Sequence, residues 1–260
     1  MFGIVPRTLW SKLIEPDARN RIRLQTNCLL LDDGHRKVLV ETGFGDKWTD
    51  KERNIYDLEK RSVVDALYEV NCDPADIDDI VLTHLHFDHA AGLTSLANGE
   101  PASNFPQARI HVQKIEWDDA LANKSTMTRT YLRTHLDSMA AQMNLVEGER
   151  EILPGVIVWP VVGHTWGHQA IRFDDGSGIV AFVGDVMPTI YHAALAYNMG
   201  YDMLPYENML SKKQILSTAS QEQWRLVLDH DPEDPVVRVE PDSARVDTFR
   251  LVPAANGETR

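Results

Sequence analysis

Thr83-His84-Leu85-His86-Phe87-Asp88-His89 is the stretch on which the reading of this chain turns. Three of the ten histidines fall within six positions, with an aspartate among them, in the spacing H-x-H-x-D-H. At the chain's own His and Asp frequencies the pattern arises by chance in roughly one such chain per thousand. Side chains two residues apart in an extended loop point the same way, so His84 and His86 can converge on one ion while Asp88 and His89 reach a second. Neutral imidazole and carboxylate are suitable donors for zinc and related divalent metals. The residues just before, DIVLT at 79–83, read as a short apolar strand of the buried, parallel kind.

Three further candidates each follow an apolar strand. His164 stands in Gly163-His164-Thr165-Trp166-Gly167-His168 after VIVWPVV, Asp185 in Val183-Gly184-Asp185 after IVAFV, and His230 in Leu228-Asp229-His230-Asp231 after RLVL. Ligands at the carboxyl ends of adjacent strands can meet in one crevice. Each is weak alone; with the first motif they supply five histidines and two aspartates, a complete shell for two ions.

Working outward, residues 22–31 read as a strand, Asp32-Asp33-Gly34 as a turn and Lys37–Glu41 as the hairpin partner. Residues 55–70 carry helical spacing, 108–113 read as a strand and 114–143 as a helical insert. Strands follow at 156–162, 168–173 and 178–183, then a helix at 207–220, a strand at 225–228, and the strand-like VVRVE and TFRLV. Hairpins, buried strands and helices in this order predict two sheets covered by helices in one α/β domain over 1–260, with residues 1–21 as an N-terminal arm. The formal charge is −13, from 39 acidic and 26 basic side chains. That excess speaks against nucleic acid and against anionic membrane surfaces as partners. No apolar run approaches the roughly 18 residues a membrane span needs. No secretory signal is visible, and two cysteines, Cys28 and Cys72, make no disulfide framework, so the cytoplasm is the expected compartment.

The ordered set His84-x-His86-x-Asp88-His89, Gly163-His164-Thr165-x-Gly167-His168, Gly184-Asp185 and His230 resembles the metallo-β-lactamase superfamily, from about residue 22 to residue 240. The resemblance implies an α/β (α+β) fold: an αββα sandwich of two mixed β-sheets flanked by helices, with a dinuclear centre at one edge. It implies that His84, His86 and His164 hold one ion, that Asp88, His89 and His230 hold the other, and that Asp185 bridges both. Zinc is the expected metal, with iron, manganese and cobalt as alternatives. His168 is expected to support its loop, and Glu41 stands where the family often has Asp. His35 is expected at the surface, and His111 and His135 in structural roles.

Thr42–Lys47, Thr83–Leu93 and Phe105-Pro106 with Val112–Trp117 look like the quorum-quenching N-acyl-homoserine lactonase branch and its organophosphate-hydrolase relatives. The implied reaction is attack of a metal-bridging hydroxide on an ester or lactone, with Asp88 orienting it and moving a proton. The implied substrate is a small-molecule N-acyl-homoserine lactone. Alternatives are a phosphotriesterase or arylesterase of the methyl-parathion-hydrolase type, a thioester hydrolase and an iron-dependent oxidoreductase. Many lactonases of the group have Tyr three positions after the bridging Asp, where this chain has Pro188. Tyr191 is the replacement candidate for polarising the substrate oxygen, and His192 a candidate to line the pocket. Trp117, Met187, Tyr197 and Met203 are further pocket candidates. The arm, with Trp10, Leu13 and Ile14, is a candidate homodimer contact.

Overall fold

The computed structural model describes residues 1–243 and 248–254, and these form two compact units: residues 28–147, and residues 1–27 together with the described part of 148–260. In the first unit β1 (Leu29–Asp32) and β2 (Lys37–Val40) form the expected hairpin. Its turn is held by the Asp33 carboxylate, which accepts from the backbone N–H groups of His35 and Arg36. β3 (Asp79–Val81), a small hairpin of β4 (Thr94–Ala97) and β5 (Glu100–Ser103), β6 (Arg109–Gln113) and β7 (Met143–Val146) follow. The main sheet runs β1-β2-β3-β6-β7 and is parallel from β2 onward. Parallel pairing sends the carboxyl ends of β2, β3 and β6 out at one edge. Glu41, Thr83–His89 and Glu116 therefore emerge together.

Val63 and Leu67 of the helix Val63–Glu69 close one side of this sheet over Leu39, Ile80, Leu82, Ile110 and Val112. Burying each such side chain contributes about 1.5–3 kcal/mol. At the start of β3 the fully buried Asp79 is compensated three ways. Its carboxylate meets His111 Nε2 at 2.7 Å and Arg36 Nε at 2.9 Å, and His111 Nδ1 meets Asn144 Nδ2 at 2.9 Å. His111 is thus a cross-strand pin, the structural role expected of it.

The second unit is a seven-stranded sheet: β8 (Arg150–Leu153), β9 (Val156–Pro160), β10 (Gln169–Asp174), β11 (Ile179–Phe182), β12 (Arg225–Val227), β13 (Val236–Pro241) and β14 (Phe249–Pro253), in the order β14-β13-β12-β11-β10-β9-β8. Every pair is antiparallel except β11/β12. The helix Pro205–Glu222 makes the crossover that a parallel pair requires. It buries Ile215, Leu216 and Ala219 against Ala170, Ala181, Val183, Leu226 and Val237. Val183–Asp185 and Leu228–His230 consequently leave the sheet side by side.

The α/β class with two mixed sheets is the architecture expected, but three predicted elements differ and four strands were not expected. The strand predicted at 22–31 begins only at Leu29. Gln25 N–H and Asn27 N–H donate to the carbonyls of His230 and Asp229, and the Asn27 amide to those of Leu228 and Asp231, so the segment staples a loop instead of joining a ladder. The helix at 55–70 is two, Asp50–Tyr56 and Val63–Glu69, each opened by a capping box and separated at Asp57, whose φ is 57°. The helical insert at 114–143 is a helix at Lys114–Leu121, a short one at Arg133–Leu136 and a 3₁₀ segment to Gln142. The break follows from Asn123 at φ 48° and from Ser125 and Thr130, whose hydroxyls bond to nearby backbone. β4, β5, β7 and β8 were not predicted, being four-residue edge or hairpin strands with mixed polarity. Among the described residues no helix is long and apolar enough to cross a membrane, and Cys28 and Cys72 are not joined by a disulfide.

Gly92, just after the histidine motif, lies where a Cβ would stand 2.0 Å from the Thr42 carbonyl oxygen. Gly92→Ala is expected to cost about 3 kcal/mol in urea denaturation. Gly34→Ala, at a turn with open space but φ 81°, is expected to cost about 1 kcal/mol. Equal costs would show that the Thr42–Gly92 approach does not constrain the loop.

Candidate metal centre

In the first unit the histidine loop is hung from three carboxyl-end anchors. Thr83 N–H donates to Glu41 Oε1 at 2.7 Å, and Leu85 N–H to Glu116 Oε1 at 3.0 Å. Thr42 donates to the His89 carbonyl oxygen through both its N–H and its hydroxyl, at 2.9 and 2.7 Å. Glu41 takes φ 65°, an uncommon backbone for a non-glycine residue, and this turn places its side chain under the loop. The result is a tight cluster of imidazoles. His84 and His86 have ring centroids 4.4 Å apart, and His84 and His89 4.0 Å apart. His84 Nδ1 pairs with the Thr83 hydroxyl at 3.0 Å, and His89 Nδ1 faces Glu41 Oε2 at 3.4 Å. Asp88 is half-buried, with Oδ1 3.8 Å from His89 Nε2.

In the second unit Asp185 is the organising group. Its Oδ2 lies 3.1 Å from His164 Nε2 and its Oδ1 3.1 Å from His230 Nε2. The other nitrogens of both rings are committed as donors: His164 Nδ1 to Asp202 Oδ1 at 2.8 Å, and His230 Nδ1 to the Gln25 carbonyl at 2.7 Å. A carbonyl only accepts, so His230 carries its proton on Nδ1 and presents a lone pair on Nε2. Facing one carboxylate in a buried site, each of these nitrogens must either carry a second proton or share a cation with it. A divalent ion satisfies all of these atoms at once, and the nitrogen and oxygen donors suit zinc-class metals. Asp229 adds a third side chain, its ligand atom within 4.8 Å of those of Asp185 and His230. His168 accepts the Asp185 backbone N–H at 3.1 Å, which holds the bridging candidate in place.

The seven ligand candidates thus fall as His84, His86, Asp88 and His89 in one unit and His164, Asp185 and His230 in the other. Sequence reading missed the groups that orient them: Asp202, Glu116, Gln25 and Asp229. Asp202 is two residues beyond Gly200 in a loop without a motif; only Asp229, adjacent to His230, carried a signal. His192 is buried, with Nδ1 on the Thr189 hydroxyl at 2.8 Å and Nε2 on the Met1 carbonyl at 3.1 Å, and it stacks on Phe2. Burial pushes its pKa down to about 3, so it is neutral across the physiological range. The Tyr191 phenol is held above its ordinary pKa by burial and then by the charges of Asp231 and Glu233, so it keeps its proton.

Of the pocket candidates, Trp117 of the helix Lys114–Leu121 and Met187, just after Gly184–Val186, pack in the two hydrophobic cores. Tyr197 packs edge-on against Phe2. An unpredicted apolar groove lies within the first unit, lined by Trp48, Ile55, Tyr56, Phe87 and Leu132, with Glu52 and Arg129 at its polar side. Asp88 adjoins it: after burial, the Asp88 charge is the next cause raising the Tyr56 pKa.

Comparison with known proteins adds three findings. The model of the metallo-beta-lactamase superfamily matches residues 21–230. An N-acyl homoserine lactonase of Bacillus thuringiensis is 29% identical over 181 residues, covering 65% of this chain and 66% of the relative. The match thus spans just under two thirds of that lactonase's length. Among solved structures, a probable metal-dependent hydrolase from Staphylococcus aureus superposes with a TM-score of 0.86 at 29% identity, covering 98% of this chain and 91% of the other. An N-acyl homoserine lactone hydrolase with N-hexanoyl-L-homoserine at its catalytic metal centre superposes with a TM-score of 0.65 at 25% identity, over 81% and 82% of the two chains.

The His164–Asp202 bond yields a direct test. Asp202→Asn is expected to weaken the binding of one metal ion about 10- to 100-fold in chelator competition. Unchanged affinity would mean that Asp202 does not support a ligand.

Proposed function

Because the chain belongs to the metallo-β-lactamase superfamily, we propose that it is a metal-dependent hydrolase of ester bonds, acting on an N-acyl-homoserine lactone or a similar lactone. The observation that carries the metal requirement is the pair of histidine nitrogens facing the two oxygens of Asp185. On the resemblance to the superfamily, His84, His86 and His164 would hold one ion and Asp88, His89 and His230 the other, with Asp185 serving both. When bound, the two divalent ions, zinc by donor type, supply Lewis acidity and a water whose pKa is lowered toward neutrality.

The chain's own residues do the rest. Asp88 is the most exposed of the ligand candidates and adjoins the groove, so it orients the nucleophile's proton and delivers it to the leaving alkoxide. The groove of Trp48, Ile55, Tyr56, Phe87 and Leu132 takes the apolar acyl part of the substrate and keeps water from it. Tyr191, protonated at neutral pH, is the hydrogen-bond donor to the substrate oxygen, and neutral His192 is a wall residue. The lactonase relatives support the choice of a lactone. The reaction would make this a quorum-quenching enzyme if the acyl-homoserine lactones are its natural substrates. We further propose a cytoplasmic protein and a homodimer formed through the arm.

A metal-loaded and a chelator-stripped sample are to be assayed on lactones of several acyl lengths, aryl esters and aryl phosphotriesters. Lactone opening that disappears on stripping and returns with zinc is expected. Turnover confined to phosphotriesters would overturn the lactone assignment. Asp185→Asn is expected to lower metal affinity at least about 100-fold and to abolish turnover. Tyr191→Phe is expected to lower kcat about 100-fold, as loss of one donor to developing charge does. An unchanged kcat removes Tyr191 from the mechanism.

A further inference from the structure

A lysine lies wholly inside the second unit. Lys212, midway along the helix Pro205–Glu222, is 0% exposed. Its Nζ donates to the Tyr197 carbonyl at 2.9 Å and to Asn198 Oδ1 at 3.3 Å. Asn198 Nδ2 in turn donates to the Pro205 carbonyl at 2.8 Å. One helical turn before Lys212, Asn208 Nδ2 reaches Asn198 Oδ1 at 3.2 Å and Asp202 Oδ2 at 3.1 Å. Asp202 Oδ2 also accepts from Met199 N–H at 2.9 Å, and Asp202 Oδ1 accepts from His164 Nδ1. An unbroken chain of polar contacts therefore runs from a buried ammonium to a metal-ligand candidate.

An apolar side chain would fill this place at less cost, since a buried cation without full compensation is expensive. Burial pulls the Lys212 pKa down to about 8 against the opposing pull of the Asp202 charge. The loop it clamps is also the one bonded to the end of β9: Met203 N–H and Leu204 N–H donate to the His164 and Gly163 carbonyls. A Cβ on Gly163 would stand 2.4 Å from Asn208 Cα, so the helix lies directly against the ligand's backbone. Position and charge thus converge on the same imidazole.

We propose that Lys212 is a positioning residue for the metal held by His164. Through Asn198 and Asn208 it sets where Asp202 stands, and through Asp202 the orientation and basicity of the imidazole. This rests on His164 being a metal ligand. It assigns a role to the helix Pro205–Glu222 beyond packing, and it makes the grip on one ion of the pair depend on a side chain that does not touch it.

The test uses the full chain and cobalt(II) alone as probe, read by chelator competition and by the visible ligand-field spectrum. Lys212→Met and Asn198→Ala are each expected to weaken one of two cobalt ions about tenfold and to shift its absorption bands, leaving the other ion as in the parent protein. Parental affinity and spectrum in the folded variants would overturn the inference. If Lys212→Met does not fold, Asn198→Ala, which keeps the lysine, decides alone. His164→Asn separates the two levels. Two cobalt ions at parental affinity in His164→Asn would overturn the ligand assignment itself. One ion lost there, with Lys212→Met and Asn198→Ala unchanged, would overturn only the role of Lys212.

Discussion

Asp185 holds one carboxylate oxygen 3.1 Å from His164 Nε2 and the other 3.1 Å from His230 Nε2, and much of the second unit exists to keep that arrangement. Its backbone N–H is fixed by His168, its histidine partners are turned by Asp202 and by the Gln25 carbonyl, and Asp185 and the three histidines are buried. Two imidazole nitrogens facing one buried carboxylate need a shared cation or a second proton on each ring. Their convergence is stable only because sheet and helix hold the backbone and because a cation is the natural complement of the set. The hydrophobic core gives the site its rigidity, and the core in turn tolerates a polar centre whose atoms find partners.

The same economy governs the first unit. A parallel β2-β3-β6 arrangement delivers three chain segments to one edge, where the histidine loop after β3 is anchored by the Glu41 carboxylate and the Thr42 donors from one side and by the Glu116 carboxylate from the other. Glu41 and Glu116 are the clearest cases. Both are buried acids whose oxygens accept backbone N–H groups of Thr83 and Leu85, so their desolvation is offset locally while the loop is drawn into shape. Tyr131 adds its hydroxyl to the same Glu116 oxygen at 3.0 Å and lays its ring near His86, with centroids 5.0 Å apart. Imidazoles crowded at 4.0–4.4 Å are thereby held as a group and not splayed into solvent.

Much of this was legible from residues alone where a local rule applies. H-x-H-x-D-H, G-H-T-x-G-H and Gly184-Asp185 carry their spacing in the chain, and apolar runs before each mark the strands. The hairpin at Asp32-Asp33-Gly34 follows from its turn residues, and the helix expected at 207–220 lies within the observed Pro205–Glu222. Elsewhere local rules misled. Residues 114–143 favour helix by composition, yet Asn123 and the Ser/Thr stretch break it. The run 22–31 is apolar enough for a strand, but its first residues spend their hydrogen bonds on the loop at 228–231. Trp117 and Met187 look like pocket residues by size, and burial in the cores takes them away from that role.

The sequence by itself determined the donor set and its order, because metal chemistry needs particular side chains and the chain writes them at short, improbable spacings. It also set the α/β class, since strand and helix periodicities are local properties. Only the tertiary structure decided which groups orient the donors. Asp202 meets His164 across 38 residues and Gln25 meets His230 across 205. Lys212 comes to lie behind Asp202 only because a crossover helix returns to the sheet. Such pairings depend on how strands are ordered and on which face a helix buries, and no spacing along the chain encodes a contact that the packing of the core alone creates.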